Sequence, residues 1–128
     1  LRHFRELADG GAAILFITHD LDLALTVADR VAVLYAGETT EEAAASDFTS
    51  GKLRHPYTRA LWDAMPQNGF RPIPGAQPYP GDISQGCLFA PRCPLCRPEC
   101  TAGSIPYRAE GDGFVRCLAD PERKGETP

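Results

Sequence analysis

Long apolar runs are missing from this chain of 128 residues. No stretch approaches the roughly 20 residues that a membrane-spanning helix needs, so no crossing of a bilayer is expected. An excess of positive charge is missing too. Lys and Arg number 13 against 17 Asp and Glu, a net charge of −4, and nothing in that balance recommends nucleic acid as a partner. The phosphate-cradling pattern G-x-x-x-x-G-K-[ST] does not occur, so the chain is not expected to bind and hydrolyse a nucleoside triphosphate unaided. Neither a signal-peptide pattern nor an initiator Met opens it. It starts inside what reads as a helix, Leu1–Asp9 closed by Gly10-Gly11, and a fragment of a longer protein is the expectation. The length suits one modest core rather than two. A soluble, cytoplasmic protein is what these absences leave.

What is present is organised around Ile14–Glu38. Ile14–Ile17 is a short apolar run of strand formers and reads as a buried strand. Thr18, His19 and Asp20 break it, with Asp20 placed to cap a helix beginning at Leu21. Leu21, Ala24, Leu25 and Ala28 recur at helical spacing and give that helix an apolar face. Val31–Tyr35 returns to strand character, and Ala36-Gly37-Glu38 marks a turn. A polar His at the carboxyl end of a buried strand, just before a helix, is where open α/β sheets place ligand-binding groups. That makes His19 the first candidate site residue; a strand-end histidine with a structural hydrogen bond is the alternative.

The run FITHDLDLALTVADRVAVLYAG closely resembles the segment around the switch histidine of ABC-transporter ATPase subunits. The resemblance implies that His19 contacts the γ-phosphate of ATP, with Mg in the complete subunit, and helps position the attacking water. Phosphoryl transfer needs positioned donors around a charged group and an oriented nucleophile, and an imidazole supplies either. The family's glycine-rich signature and its catalytic carboxylate do not occur in this chain.

Further on, Thr39–Glu42 reads as the return arm of a hairpin with Val31–Tyr35, an exposed edge strand followed by a short solvated helix through Ala45. HPYTRAL, residues 55–61, closely resembles the motif that opens the carboxyl-terminal extension of the ATPase subunits of oligopeptide, dipeptide and nickel importers. Pro56 suits the first turn of a helix whose apolar face is Tyr57, Ala60, Leu61 and Ala64. His55 and Tyr57 are expected to pack and bond locally rather than to bind a ligand. From Pro66 to Pro80, five prolines and two glycines predict an extended linker without regular elements, anchored by Phe70, Ile73 and Tyr79. Its Pro72–Gly75 step also resembles the family.

All five cysteines fall between positions 87 and 117. In a chain that reads as cytoplasmic, so tight a grouping argues for a metal site over disulfides. The spacing Cys87-x5-Cys93-x6-Cys100, closed by Cys117, resembles the importer family's carboxyl-terminal pattern. That resemblance implies a [4Fe–4S] cluster held by Cys87, Cys93, Cys100 and Cys117. Cys96 makes a C-x2-C step with Cys93 that suits zinc or iron–sulfur, and it either replaces one of the four ligands or stands beside the site as a spare thiol. Three readings compete: iron–sulfur, structural zinc, and thiols that are free or bridged. Arg92 and Arg97 are expected either to offset the charge of a thiolate cluster or to be solvated loop cations. Pro106–Arg108 and Gly113–Arg116 read as short strands that return Cys117 to the site, after a loop over Thr101–Ile105, and Asp120–Pro128 reads as a frayed end.

The fold class expected is α/β: the last elements of a P-loop NTPase of the ABC type, followed by a loop-rich, cysteine-rich extension. Residues 1–48 would end the nucleotide-binding domain, and 49–128 would be a carboxyl-terminal regulatory extension with its linker at about 66–85 and its cysteine cluster at 86–117. The resemblance implies a second ATPase subunit, membrane permease subunits and, indirectly, a solute-binding protein as partners, and a location on the inner face of the membrane. A fragment whose Ile14–Ile17 strand lacks its sheet neighbours is expected to self-associate through that edge. A free-standing metal-binding module with no ATPase role is the rival reading.

Overall fold

Ala36 and Gly37, with φ of 49° and 85°, turn the chain between β1 (Arg30–Tyr35) and β2 (Glu38–Ala44). A two-residue loop with both φ positive matches the twist of antiparallel strands, and Gly37 adopts it without steric cost. The computed structural model in which this is seen describes residues 1–79, 81 and 85–119. The β1–β2 register slips between Val33, opposite Glu41, and Leu34, opposite Thr39. Thr40 is therefore the extra residue of a bulge. Its hydroxyl donates to the Val33 carbonyl (3.0 Å), and its own carbonyl accepts the Arg116 N–H (2.8 Å).

That second bond belongs to a wider sheet. β3 (Arg108–Glu110) and β4 (Gly113–Val115) form a hairpin, and β4 pairs with β2 through Glu41↔Val115 and Glu42↔Phe114. The four strands are antiparallel in the order β1-β2-β4-β3. β2 is thus an inner strand, not the expected edge, and it continues to Ala44 before α3 (Ala45–Thr49) begins. Thr40 and Glu41 are buried. The polar residues are tolerated because each has partners: Thr40 the bulge carbonyl, Glu41 the backbone amides of Arg54 and His55.

Five helices, α1 (Arg2–Asp9), α2 (Leu21–Val27), α3, α4 (Pro56–Asp63) and α5 (Glu99–Ala102), and two 3-10 turns, at Pro66–Asn68 and Ala90–Arg92, complete the described elements. One core is Val33, Ala43, Phe48 and Leu53, onto which Leu21 and Leu25 of α2 and Leu61 and Trp62 of α4 pack. A second is Tyr35, Leu88 and Phe89, joined by Ile73, Cys87 and Cys93. Tyr57 touches both, its ring 4.6 Å from Tyr35 and 5.3 Å from Phe89 between centroids. No helix among the described residues is long and apolar enough to cross a membrane.

Several expectations need correction. Ile14–Ile17 is not a buried strand: Leu15 is 90% and Ile17 87% exposed, and the run pairs with no strand among the described residues. Its residues have the propensity, but no strand among the described residues lies beside them to supply backbone partners. The only ring contact formed there, among the described residues, is Phe16 against Phe4 of α1, at 6.2 Å. The linker does hold a regular turn at Pro66–Asn68, and of its three expected anchors only Ile73 packs, Phe70 and Tyr79 being 71% and 77% exposed. The expected loop from Thr101 is preceded and partly replaced by α5. Residues 80, 82–84 and the expected frayed end at 120–128 lie outside the described residues.

Candidate functional site

His19 stands on the loop that enters α2. Asp20 caps that helix as expected, accepting the Leu23 N–H at 3.0 Å, and Thr18 Oγ1 accepts the Asp20 N–H at 3.0 Å. The two bonds fix the backbone on either side of His19 and leave its imidazole on the exposed surface. With no strand at 14–17, His19 is a helix-entry residue rather than a strand-end one.

The cysteines are brought together by four short pieces. The 3-10 turn Ala90–Arg92 delivers Cys93, and α5 carries Cys100. The Cys87 N–H donates to the Cys100 carbonyl at 2.8 Å, clamping the two ends of that segment. Gly86 makes the clamp possible: its φ is 115°, and any Cβ there would overlap the Cys100 carbonyl oxygen. The β3–β4 hairpin then returns Cys117, pinned by the Arg116 N–H on the Thr40 bulge. All five cysteines, with His55, Ala90, Ile105 and Ala119, line one cavity of about 10 Å³, room for about one water. His19 is not among its walls.

All five are free thiols, Cys100 buried and the others partly exposed. Burial is the largest influence on the Cys93 thiol, which is pushed up to about 11. Burial likewise raises Cys87, Cys96 and Cys117. Backbone N–H groups, of Phe89 and Ala90 for Cys87 and of Ala119 for Cys117, pull these two back in part, with smaller help from Arg116 and Arg108 respectively. These four thiols are therefore held neutral at ordinary pH, and a bound cation would be needed to make stable thiolates of them. Five soft donors on one cavity fit iron–sulfur or zinc by chemistry. By spacing, no group of three or more His, Cys, Asp or Glu among the described residues is drawn tightly enough to hold a metal ion.

Of three participants, sequence reasoning missed Arg116 and Arg108 and expected of His55 only packing and local bonding. Arg116 acts on the Cys87 thiol and Arg108 on the Cys117 thiol, each more weakly than burial and the backbone N–H groups. Arg92 instead straps the linker: it donates to the carbonyls of Pro74 (2.8 Å) and Ile73 (3.2 Å) and to the Tyr35 hydroxyl (3.2 Å). His55 is the third. It caps α4, its Nδ1 accepting the Tyr57 N–H at 3.0 Å, and it also walls the cysteine-lined cavity. Burial, helped by Arg116, lowers its pKa to about 4, so the ring is neutral, with its proton on Nε2.

Residues 40–100 match the family described as the oligopeptide/dipeptide transporter, C-terminal region. The chain is similar to the oligopeptide transport ATP-binding protein OppD of Mycobacterium tuberculosis, 45% identical over 96 residues, which are 70% of this chain and 16% of that protein. Similarity extends to the oligopeptide transport ATP-binding protein AppD of Bacillus subtilis, 36% identical over 120 residues, 89% of this chain and 36% of the relative. A probable peptide ABC transporter ATP-binding protein of Sinorhizobium fredii is 40% identical over 107 residues, 78% of this chain and 32% of the relative. The chain spans well under half the length of these curated relatives.

Proposed function

Because the chain belongs to the C-terminal-region family of ABC peptide-importer ATP-binding subunits, we propose that it works as the carboxyl-terminal part of such a subunit, powering import of peptides or nickel. The observation that carries this is the 89% of the chain that aligns with an oligopeptide transport ATP-binding protein. Residues 1–48 close the nucleotide-binding domain in this reading, and 49–128 form the extension. The active assembly contains a second ATPase subunit, permease subunits and, indirectly, a solute-binding protein, on the inner face of the cytoplasmic membrane. ATP with Mg supplies the transferable phosphoryl group. His19, held at the entry to α2 by the Asp20 cap, meets the γ-phosphate and orients the attacking water. The chain's own residues lack the phosphate loop, so ATP hydrolysis requires residues outside this sequence.

The cysteine-lined cavity gives the second element of the reading, a [4Fe–4S] cluster held by Cys87, Cys93, Cys100 and Cys117, with zinc as the alternative metal and Cys96 as a substitute ligand. Convergence of all five thiols on one cavity supports it by donor chemistry alone, since the cavity has room for about one water and the sulfurs would have to draw together around a metal. The same observation favours the rival reading, a metal-binding module without an ATPase role. The exposed Leu15 and Ile17 also support self-association of the chain by itself, which light scattering at high concentration would read as a dimer or larger species.

The test is ATP hydrolysis by the complete subunit carrying His19→Ala. A fall in kcat of about a hundredfold or more, with ATP binding retained, is expected. Unchanged kcat would leave only the metal-binding module. Iron and acid-labile sulfide analysis on protein purified without oxygen then separates cluster from zinc.

A further inference from the structure

Cys96 is the cysteine that a four-ligand pattern leaves over, and it is not isolated. Its thiol donates to the Arg97 carbonyl (3.6 Å), while the Arg97 N–H donates to the Cys100 sulfur (3.5 Å), so one residue's backbone touches both sulfurs. The bonds Cys96 N–H to Cys93 carbonyl (3.3 Å) and Cys100 N–H to Arg97 carbonyl (3.0 Å) wind the segment into consecutive tight turns. Both cysteines wall the same cavity, Cys100 buried and Cys96 partly exposed. Cys100 is also the cysteine whose proximity acts on the Cys96 thiol, second only to burial. Disulfide closure needs sulfurs near each other on a chain that can turn between them; here both sulfurs lie on the backbone of Arg97, and the segment between them belongs to no strand of the sheet.

We propose that Cys96 and Cys100 are a thiol–disulfide pair whose closure by a low-molecular-weight disulfide withdraws Cys100 from the cysteine-lined cavity. The consequence for metal rests on the reading of Cys100 as a ligand; the pairing itself does not. The more exposed Cys96 gives its thiol proton to solvent as it attacks one sulfur of the small disulfide, forms a mixed disulfide and releases one small thiolate, which takes up a proton. Cys100 then displaces the second small thiol and completes the protein disulfide. Two protein S–H bonds are lost and one S–S bond forms. Two small thiols leave with the electrons and protons, and excess thiol reverses the exchange. The cavity thereby has a dithiol state that offers Cys100 to a metal and a disulfide state that does not.

The experiment incubates the intact protein, prepared without oxygen, with oxidised glutathione. Free thiols are then alkylated, and the chain is cut with trypsin and a Glu-specific protease, which separates residues 93–99 from 100–108. A linked pair of these fragments is expected in the wild type and in Cys93→Ser, and its loss in Cys96→Ser. Linkage that survives Cys96→Ser, or that joins Cys100 to Cys87 or Cys117, overturns the proposal. Metal content is measured on the same samples: oxidant should strip it from the wild type several-fold faster than from Cys96→Ser, and equal rates overturn the proposed consequence. Protein that holds neither iron nor zinc before oxidation defeats the metal reading instead, and the fragment map still decides the pair.

Discussion

Glu41 reaches from the inner strand β2 to the start of α4, where its Oε1 accepts the main-chain N–H of His55 at 2.7 Å. The same carboxylate takes the Arg54 N–H at 2.9 Å, and the whole residue is only 2% exposed. It is a buried carboxyl group whose hydrogen-bond partners are two backbone donors just before a helix. Glu41→Ala strips both donors of their acceptor and should cost about 3 kcal/mol, whereas Glu41→Gln keeps one acceptor oxygen and should cost about half of that. Urea unfolding with an unchanged m value checks both. A loss below about 0.5 kcal/mol for the alanine variant would mean that water replaces the carboxylate.

His55 adds a pH dependence of definite sign. Its folded pKa of about 4 lies below the ordinary value of 6.5, because burial and Arg116 both disfavour the imidazolium. Between those values the unfolded chain binds a proton that the folded chain refuses. Stability from this group is complete above about pH 6.5 and lost as pH falls towards 4, about 2 kcal/mol by pH 5. Protonation would also remove the Nδ1 acceptor that caps Tyr57. Urea unfolding at about pH 7.5 and pH 5 should show that loss, and His55→Asn, which keeps a capping oxygen, should abolish most of it.

Local chemistry was legible in the sequence wherever a residue acts on its neighbours. The Asp20 cap, Pro56 at the start of α4, the Ala36-Gly37 turn and the strand β4 that leads to Cys117 all follow from patterns a few residues long, while β3 begins at Arg108, where the strand expected from Pro106 was to end. What was not legible depends on distant partners. Thr40 and Glu41 read as an exposed edge because nothing nearby announces that β4, some 70 residues later, pairs with them. Ile14–Ile17 failed in the opposite sense: strand formers without a neighbouring strand do not become a strand. The convergence of five cysteines was suggested by their crowding, but the part played by Arg116 and His55 came only from packing.

Arg92 should govern the linker. It serves two linker carbonyls and the Tyr35 hydroxyl, lies 5.9 Å from the Tyr35 ring centroid and packs against Gly75, where a Cβ would come within 2.9 Å of its Cγ. Arg92→Met retains much of the packing and removes the three bonds, so about 2 kcal/mol of stability should be lost. Arg92→Lys should recover little, since an ammonium lacks the planar fork. Amide hydrogen exchange in residues 71–79 is the direct readout: faster exchange in both variants is expected, and wild-type protection in Arg92→Met would show that Ile73 alone holds the segment.

Gly113 tests whether the hairpin truly delivers Cys117. It lies where β4 crosses Glu42 of β2, and a Cβ there would overlap the Glu42 carbonyl oxygen, a backbone atom that cannot swing aside. Gly113→Ala should therefore push β4 off β2 at a cost of about 2 kcal/mol or more. Gly111, at the hairpin tip, is the control: its φ is 55° and a Cβ there would meet no atom within 4 Å, so alanine pays only for the left-handed backbone, about 1 kcal/mol. The distinguishing measurement is the rate at which Cys117 is alkylated. If the Arg116 N–H bond to Thr40 depends on the β2–β4 pairing, Gly113→Ala should raise that rate about tenfold or more while Gly111→Ala leaves it within about twofold. Equal rates in the two variants would place Cys117 under the control of its own loop, and the bulge at Thr40 would lose its part in assembling the cysteine-lined cavity.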